Sequence, residues 1–202
     1  MNPSHSVQFF DVQFQRQARG EDFALNPFEQ AALPYLRGRV LDFGCGMGNL
    51  AFAAAERGCS VLALDASLAA STHIRQRAAD TGLAVEAGLV DLRHHALKED
   101  FDAVVSIGLL MFFDCATALR MLAQLKTRVR DGGVAVVNVL VVGTTYLEMF
   151  EMQDHCLFAP AELEQHFAGW TILHAECSDF DAPDGTHKVF ETVIARKPGG
   201  AA

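Results

Sequence analysis

The stretch Val40-Leu41-Asp42-Phe43-Gly44-Cys45-Gly46-Met47-Gly48 sets the reading of the whole chain. An apolar strand runs into D-x-G-x-G-x-G, and glycine at 44, 46 and 48 permits the positive φ angles of a tight strand-to-helix turn while letting a ligand approach the backbone closely. A dinucleotide-binding loop is spaced G-x-G-x-x-G, with amides and a helix N-terminus aimed at a pyrophosphate. Here the third glycine comes one position early, and Asn49 stands where it should be. The anion site is therefore mis-spaced. Asp42 adds an acid at the carboxyl end of the strand, where a pyrophosphate loop does not usually carry one.

A nucleoside cofactor without phosphate fits these residues better. S-adenosylmethionine carries an ammonium, a carboxylate and a sulfonium, so an acid beside the glycines suits its amino acid end, directly or through water. Val61 to Leu64 is a second short buried-strand run, and it ends in Asp65, seventeen positions after Gly48. That is near the roughly 20-residue spacing at which a carboxylate meets ribose hydroxyls in such folds. Asp65 is the expected ribose ligand, and it also lies just before a helix predicted to start near Ser67. A third strand is expected over Leu83 to Ala87, followed by Val90-Asp91-Leu92.

With D-F-G-C-G-M-G, Asp65, Asp91, F-D-A-V-V-S-I-G at 101 to 108 and R-D-G-G-V-A-V-V at 130 to 137, the chain resembles the class I S-adenosylmethionine-dependent methyltransferases over nearly its whole length. Within them, L-M-F-F at 110 to 113, C-L-F-A-P-A-E-L at 156 to 163 and F-A-G-W at 167 to 170 are similar in order and spacing to the tellurite-resistance (TehB-like) enzymes. The resemblance implies that Asp91 accepts from the adenine amino group. It also implies that Cys45, Asn49, Leu50, Ala66, Leu92, Ser106, Ile107 and Gly108 complete a cofactor site that releases S-adenosylhomocysteine. One departure stands out. The tellurite-resistance pattern leads us to expect a His-Arg pair and a further Arg around the C-terminal hairpin, but residues 177 to 190 read C-S-D-F-D-A-P-D-G-T-H-K-V-F. His187 and Lys188 are the basic residues there, among Asp179, Asp181 and Asp184, and like charges raise the cost of holding an oxyanion.

Composition narrows the class. At 202 residues one domain is expected, large enough to bury a core without disulfides or metals. Five cysteines, an odd number with no C-x-x-C pair, predict reduced thiols, a cytoplasmic protein and no zinc site. The N-terminus has no basic start followed by an apolar core, and no apolar run is long enough to span a bilayer, so neither export nor membrane insertion is expected. Sixteen basic against 25 acidic residues give a formal charge of −9, with no Lys/Arg cluster, which speaks against nucleic acid partners. No N-P-P-Y or D-P-P-Y follows the fourth strand, the motif by which enzymes that methylate exocyclic amino groups resemble one another. The expected partner is a small-molecule acceptor, and both monomer and homodimer remain open.

Alternating strand and helix patterns predict a single α/β domain over residues 1–202, with a Rossmann-like, doubly wound sheet and helices on both faces. The resemblance implies seven strands, mostly parallel, and A-P-D-G-T between two apolar runs predicts a hairpin that makes the last strand antiparallel. Phe101 to Ile107 and Val134 to Val142 read as the buried fourth and fifth strands. Phe9, Phe10 and Phe14 sit at helical spacing in an N-terminal arm over residues 1–25. Asn26-Pro27-Phe28-Glu29 offers an N-cap, and the helix is expected to run to about Leu36, closed by Gly38. Further helices are predicted at about 49 to 57, 67 to 80 and 115 to 129, the last ended by Asp131-Gly132-Gly133. A lid-like segment should occupy residues 143–158.

A sulfonium methyl is attacked in line with the departing sulfur, so alignment alone can supply up to about 7 to 11 kcal/mol of acceleration. A base is needed only when the acceptor arrives protonated with a high pKa. Thiols, selenium or tellurium oxyanions and small oxygen or nitrogen nucleophiles all remain possible acceptors. The acceptor pocket is expected from Met111, Phe112, Tyr146, His155 and His187, with His155 as candidate base and Tyr146 as an alternative polar contact. His94 and His95 read as a solvated loop, and the arm and lid are expected to close over the cofactor. Two other functions compete: a non-catalytic S-adenosylmethionine-binding regulator, and an NAD(P)-dependent oxidoreductase disfavoured by the glycine spacing.

Overall fold

In the computed structural model, residues 8–14, 23–150 and 154–200 are described. The expected seven strands are present: β1 (Arg39–Phe43), β2 (Ser60–Asp65), β3 (Val85–Leu89), β4 (Phe101–Ile107), β5 (Val129–Leu140), β6 (Thr171–Ala182) and β7 (Thr186–Arg196). They form one sheet in the order β3-β2-β1-β4-β5-β7-β6. The first five strands pair in parallel, and β7 runs antiparallel to both β5 and β6.

Both faces of the sheet are buried, as the continuous apolar runs require. Phe101 and Val104 of β4 face one core cluster with Ala135, Val137 and Val139 of β5, while Ala103 and Val105 face a second with Val134 and Val136. Helix α1 covers residues 8–14. Helices α2 (Pro27–Ala32), α3 (Asn49–Glu56) and α4 (Leu68–Thr81) contribute Ala32, Phe52 and Ile74 to the second cluster. On the opposite face, α5 (Cys115–Thr127) and α6 (Glu162–Gln165) contribute Met121, Leu122 and Leu163 to the first.

Local chemistry sets the element ends. Helix α2 opens with a full capping box: the Glu29 amide donates to Asn26 Oδ1 (2.9 Å) and the Asn26 amide donates to Glu29 Oε2 (2.8 Å). It stops at Ala32, short of the expected Leu36, and a 3₁₀ turn over Leu33–Tyr35 follows. Pro34 explains the tightening, since it has no N–H to continue the α ladder and its ring crowds the preceding turn. Helix α5 ends at Thr127, and Asp131-Gly132-Gly133 lies inside β5. The register moves from Phe101↔Val129 to Ala103↔Val134, so the surplus residues are taken up as a bulge rather than as a helix stop.

Two expectations need correction or limits. Cys115 and Cys156 are joined by a disulfide, with Cα atoms 4.7 Å apart, so the reading of five reduced thiols does not hold for this pair. Parity and spacing could not reveal it, because helix α5 and the segment after β5 meet only in the folded chain. Cys45, Cys59 and Cys177 are free. Of the expected arm, residues 1–7 and 15–22 lie outside the described residues, as do 151–153 of the lid-like segment. Among the described residues no helix is long and apolar enough to cross a membrane.

The strand order reverses at β1, which lies between β2 and β4. The carboxyl ends of β1, β2 and β4 therefore open a crevice where the glycine loop, Asp65 and Gly108 meet, as expected at a topological switch point.

Candidate active site

The glycine loop forms one wall of the crevice. The amides of Gly44 and Cys45 both donate to the Leu64 carbonyl (2.8 and 3.2 Å), pinning the loop to the end of β2. Gly44 adopts φ +83° and Gly48 φ +76°, and a Cβ would come within 2.9 Å of Leu109 at the first and of Ile74 at the second. Only glycine meets both conditions. Asp65 fixes the loop from the other side: its Oδ2 accepts from the Gly46 amide (2.8 Å) and its Oδ1 from the Ser67 amide (2.9 Å). Ser67 also caps α4 and donates its hydroxyl to Asp11 of α1.

These elements enclose a cavity of about 790 Å³, within the usual range for a small-ligand site. Of the residues singled out from sequence, Asp42, Gly44, Cys45, Gly46, Asn49, Leu50, Asp65, Ala66, Leu92, Ile107, Gly108, Met111, Phe112 and Tyr146 line it. Gly48 shapes the loop from behind. Asp91 lies outside the lining: its carboxylate faces His94 Nδ1 (2.8 Å) and the Arg93 amide (3.1 Å), and hydrogen bonding to His94 holds its pKa below the usual range. Ser106 is buried outside the lining, and its hydroxyl has no partner among the described residues.

The two histidines named for the acceptor side also sit apart from the cavity. The His155 ring stacks on Phe150, centroids 4.8 Å apart, and its buried Nδ1 has no partner among the described residues. His187 points along the hairpin toward Asp179 and Asp181, 3.6 and 3.5 Å from its Nδ1. Glu29, Asn138 and Phe190, which sequence reasoning did not place in the site, also line it, as do Lys188, named from sequence only as a basic residue of the hairpin, and Phe9, Phe10 and Phe14 of the N-terminal arm. Asn138 had a signal, as the lone polar residue in the apolar run from Val134 to Val142. Glu29 was legible only as a helix cap.

Electrostatics divide the cavity. Asp42 is buried, and its carboxyl is pushed up to about 8 by desolvation first and then by the neighbouring charges of Glu29 and Asp65. Burial also raises Glu29, against the Asn26 amide, and raises Asp65, against the Ser67 and Gly46 amides. Burial keeps the Cys45 thiol neutral, with Asp42 and Asp65 acting in the same direction. Asp42 thus carries the combined cost of burial and of two neighbouring acids, Glu29 and Asp65.

The sign of the Asp42 shift predicts a pH effect on the free protein. Its folded pKa lies above the unfolded value of about 3.9, so its stabilisation is complete below pH 4 and is lost as pH rises to about 8. Urea unfolding should show wild-type stability falling relative to Asp42→Asn by up to about 1.4 kcal/mol per pH unit in that window. Parallel pH profiles for the two proteins would contradict the assignment.

Comparison with known proteins agrees with this geometry. Residues 40–133, from β1 to the start of β5, match the family described as a methyltransferase domain. Residues 40–133 carry that domain, and the chain resembles the class I S-adenosylmethionine-dependent methyltransferases. The chain is 28% identical over 167 residues to hemagglutinin 1 of Eikenella corrodens, which covers 80% of this chain and 55% of that protein. It is 25% identical to a ubiquinone biosynthesis O-methyltransferase of Rhodopseudomonas palustris, covering 88% and 74%. TehB of Haemophilus influenzae is 23% identical in sequence, covering 79% and 57%. The TehB crystal structure superposes with a TM-score of 0.77 over 90% of this chain and 65% of that one, at 18% identity, a likeness of fold. The chain thus spans little more than half the length of hemagglutinin 1 and of TehB.

Proposed function

We propose that the domain transfers the methyl group of S-adenosylmethionine to a small-molecule acceptor. The observation that carries this reading is the pairing of a glycine loop mis-spaced for pyrophosphate with buried Asp42 at the end of β1 and Glu29 of α2 in the same cavity. A phosphate would be repelled there, whereas the ammonium of an amino acid end group would relieve the repulsion. When bound, the cofactor supplies an electrophilic methyl group on sulfur.

The chain's own residues would do the rest by holding and excluding. Asp65 uses one lone pair of each oxygen on the Gly46 and Ser67 amides and retains acceptor capacity for two ribose hydroxyls. Leu92 and Ile107 offer apolar surface for a flat base. Beyond Gly108, Met111, Phe112, Met149 and Phe190 form an apolar wall that excludes water from the acceptor end. Phe10 of α1 packs edge-on against Phe112, centroids 5.1 Å apart, so the arm contributes to the same enclosure. No base is required for a soft nucleophile, and alignment in this cavity is the main source of acceleration.

The test is transfer of label from methyl-labelled S-adenosylmethionine to a panel of thiols, selenite, tellurite, amines, phenols and carboxylic acids. We expect S-adenosylhomocysteine to form with label in one acceptor class. Tight cofactor binding with no transfer to any member would favour the regulatory reading instead.

A further inference from the structure

The acceptor end of the cavity has a polarity opposite to the cofactor end. Lys188 of β7 lines the cavity, half-buried, and among the described residues its ammonium has no carboxylate or hydrogen-bond partner. Its ammonium lies 4.5 Å from the ring centroid of Tyr146, another lining residue. Burial lowers the Lys188 pKa, as expected for a cation with no carboxylate beside it among the described residues. Deeper in the same cavity, Asn138 of β5 is fully buried; its Nδ2 donates to Thr192 Oγ1 (2.9 Å), and its Oδ1 has no partner among the described residues. Leaving a buried amide oxygen unpaired is costly, so a cavity that keeps one is suited to a donor from outside the chain.

Strand register places these groups. Asn138 pairs with Thr192 and Leu140 with Phe190, so Thr192, Phe190 and Lys188 climb one face of β7 at every second residue. The cavity wall therefore carries a hydrogen-bond acceptor at depth, an aromatic ring next, and a cation four residues along from Thr192, about 13 Å of strand before the reach of the lysine side chain is subtracted. What remains is about the length of one substituted ring. Asp42 lies on β1, three strand spacings or about 14 Å from β7 across the sheet, which keeps this acid away from the cation.

Resting on the proposed methyl transfer, we infer that the acceptor is a small aromatic or comparably apolar carboxylate bearing an O–H or N–H group. Its carboxylate pairs with Lys188, its apolar body lies against Phe190 and Phe112, and its donor group bonds to Asn138 Oδ1. On transfer the donor's oxygen or nitrogen bonds to the methyl carbon and the carbon–sulfur bond breaks with its electron pair on sulfur; the proton stays on the methylated atom until the product leaves the cavity and gives it up to bulk water.

The test is calorimetric titration of the S-adenosylhomocysteine-loaded protein with 4-hydroxyphenylacetate and with its uncharged counterpart, 2-(4-hydroxyphenyl)ethanol. The acid should bind at least tenfold more tightly than the alcohol. Lys188→Met should abolish that preference, Lys188→Arg should retain it, and Asn138→Leu should weaken both ligands about tenfold, all with unchanged affinity for S-adenosylhomocysteine. Equal binding of acid and alcohol to the wild type, no binding of either, or a preference that survives Lys188→Met would overturn the inference. Failure to load S-adenosylhomocysteine at all would instead overturn the cofactor reading beneath it.

Discussion

Asp65→Ala is expected to weaken binding of S-adenosylmethionine and S-adenosylhomocysteine alike, by about two to three orders of magnitude. A hydrogen bond to a charged group contributes about 1.5–3 kcal/mol, and on the proposed reading the carboxylate would make two of them to ribose hydroxyls. The same side chain holds the Gly46 and Ser67 amides, so its loss also frees the glycine loop. Equal loss for both ligands is diagnostic, because they share the ribose and differ at sulfur. Asp65→Asn, which keeps one accepting oxygen, should fall between alanine and wild type. Titration of both ligands into each variant, with circular dichroism to check folding, decides it. Affinities within threefold of wild type would remove Asp65 from the site.

Removal of the disulfide should produce the largest change in stability. Cys115 is the first residue of α5, and Cys156 lies 41 residues on, in the segment after β5. A cross-link closing a loop of that length stabilises a folded chain by about 2–4 kcal/mol, which at this size corresponds to roughly 5–15 °C in thermal midpoint. Other contacts join the same two segments. The Cys156 amide donates to the Met111 carbonyl (3.0 Å), the Asp114 amide donates to Asp154 Oδ1 (3.1 Å), and Arg93 pairs with both Asp114 and Asp154. Partial retention of this join is therefore expected after reduction. Scanning calorimetry with and without a phosphine reductant, beside the double variant Cys115→Ser/Cys156→Ser, should show the same lowered midpoint for reduced wild type and variant. A midpoint insensitive to both treatments would mean that the bond contributes nothing to the fold in solution.

The parts of the molecule legible in sequence are those whose chemistry is local. The loop from Gly44 to Gly48, the cap at Asn26 and the buried runs of β4 and β5 each carry their cause within a few residues, through φ requirements, side-chain-to-backbone bonding or unbroken hydrophobicity. The antiparallel final strand was readable because a turn-rich stretch separates β6 from β7. What sequence could not show depends on contacts made late in the chain's path. The disulfide, the cation on β7 and the amide of Asn138 come together only through the order β4-β5-β7. His155 illustrates the converse: in sequence it stands between Asp154 and Cys156, but Asp154 pairs with Arg93, Cys156 bonds to Cys115, and the ring turns onto Phe150. Asp91 likewise has the expected position in the chain while its carboxylate is taken up by His94.

Calorimetric titration of the wild-type protein with S-adenosylmethionine, S-adenosylhomocysteine and NAD tests the central claim most directly. Because Asp42 has its carboxyl pKa raised to about 8, cation binding at pH 7 must also release a proton, which makes the binding enthalpy depend on the ionisation enthalpy of the buffer. The account predicts micromolar binding of the two adenosyl compounds with close to one proton released, and none of NAD. Binding of NAD, or of none of the three, would contradict it.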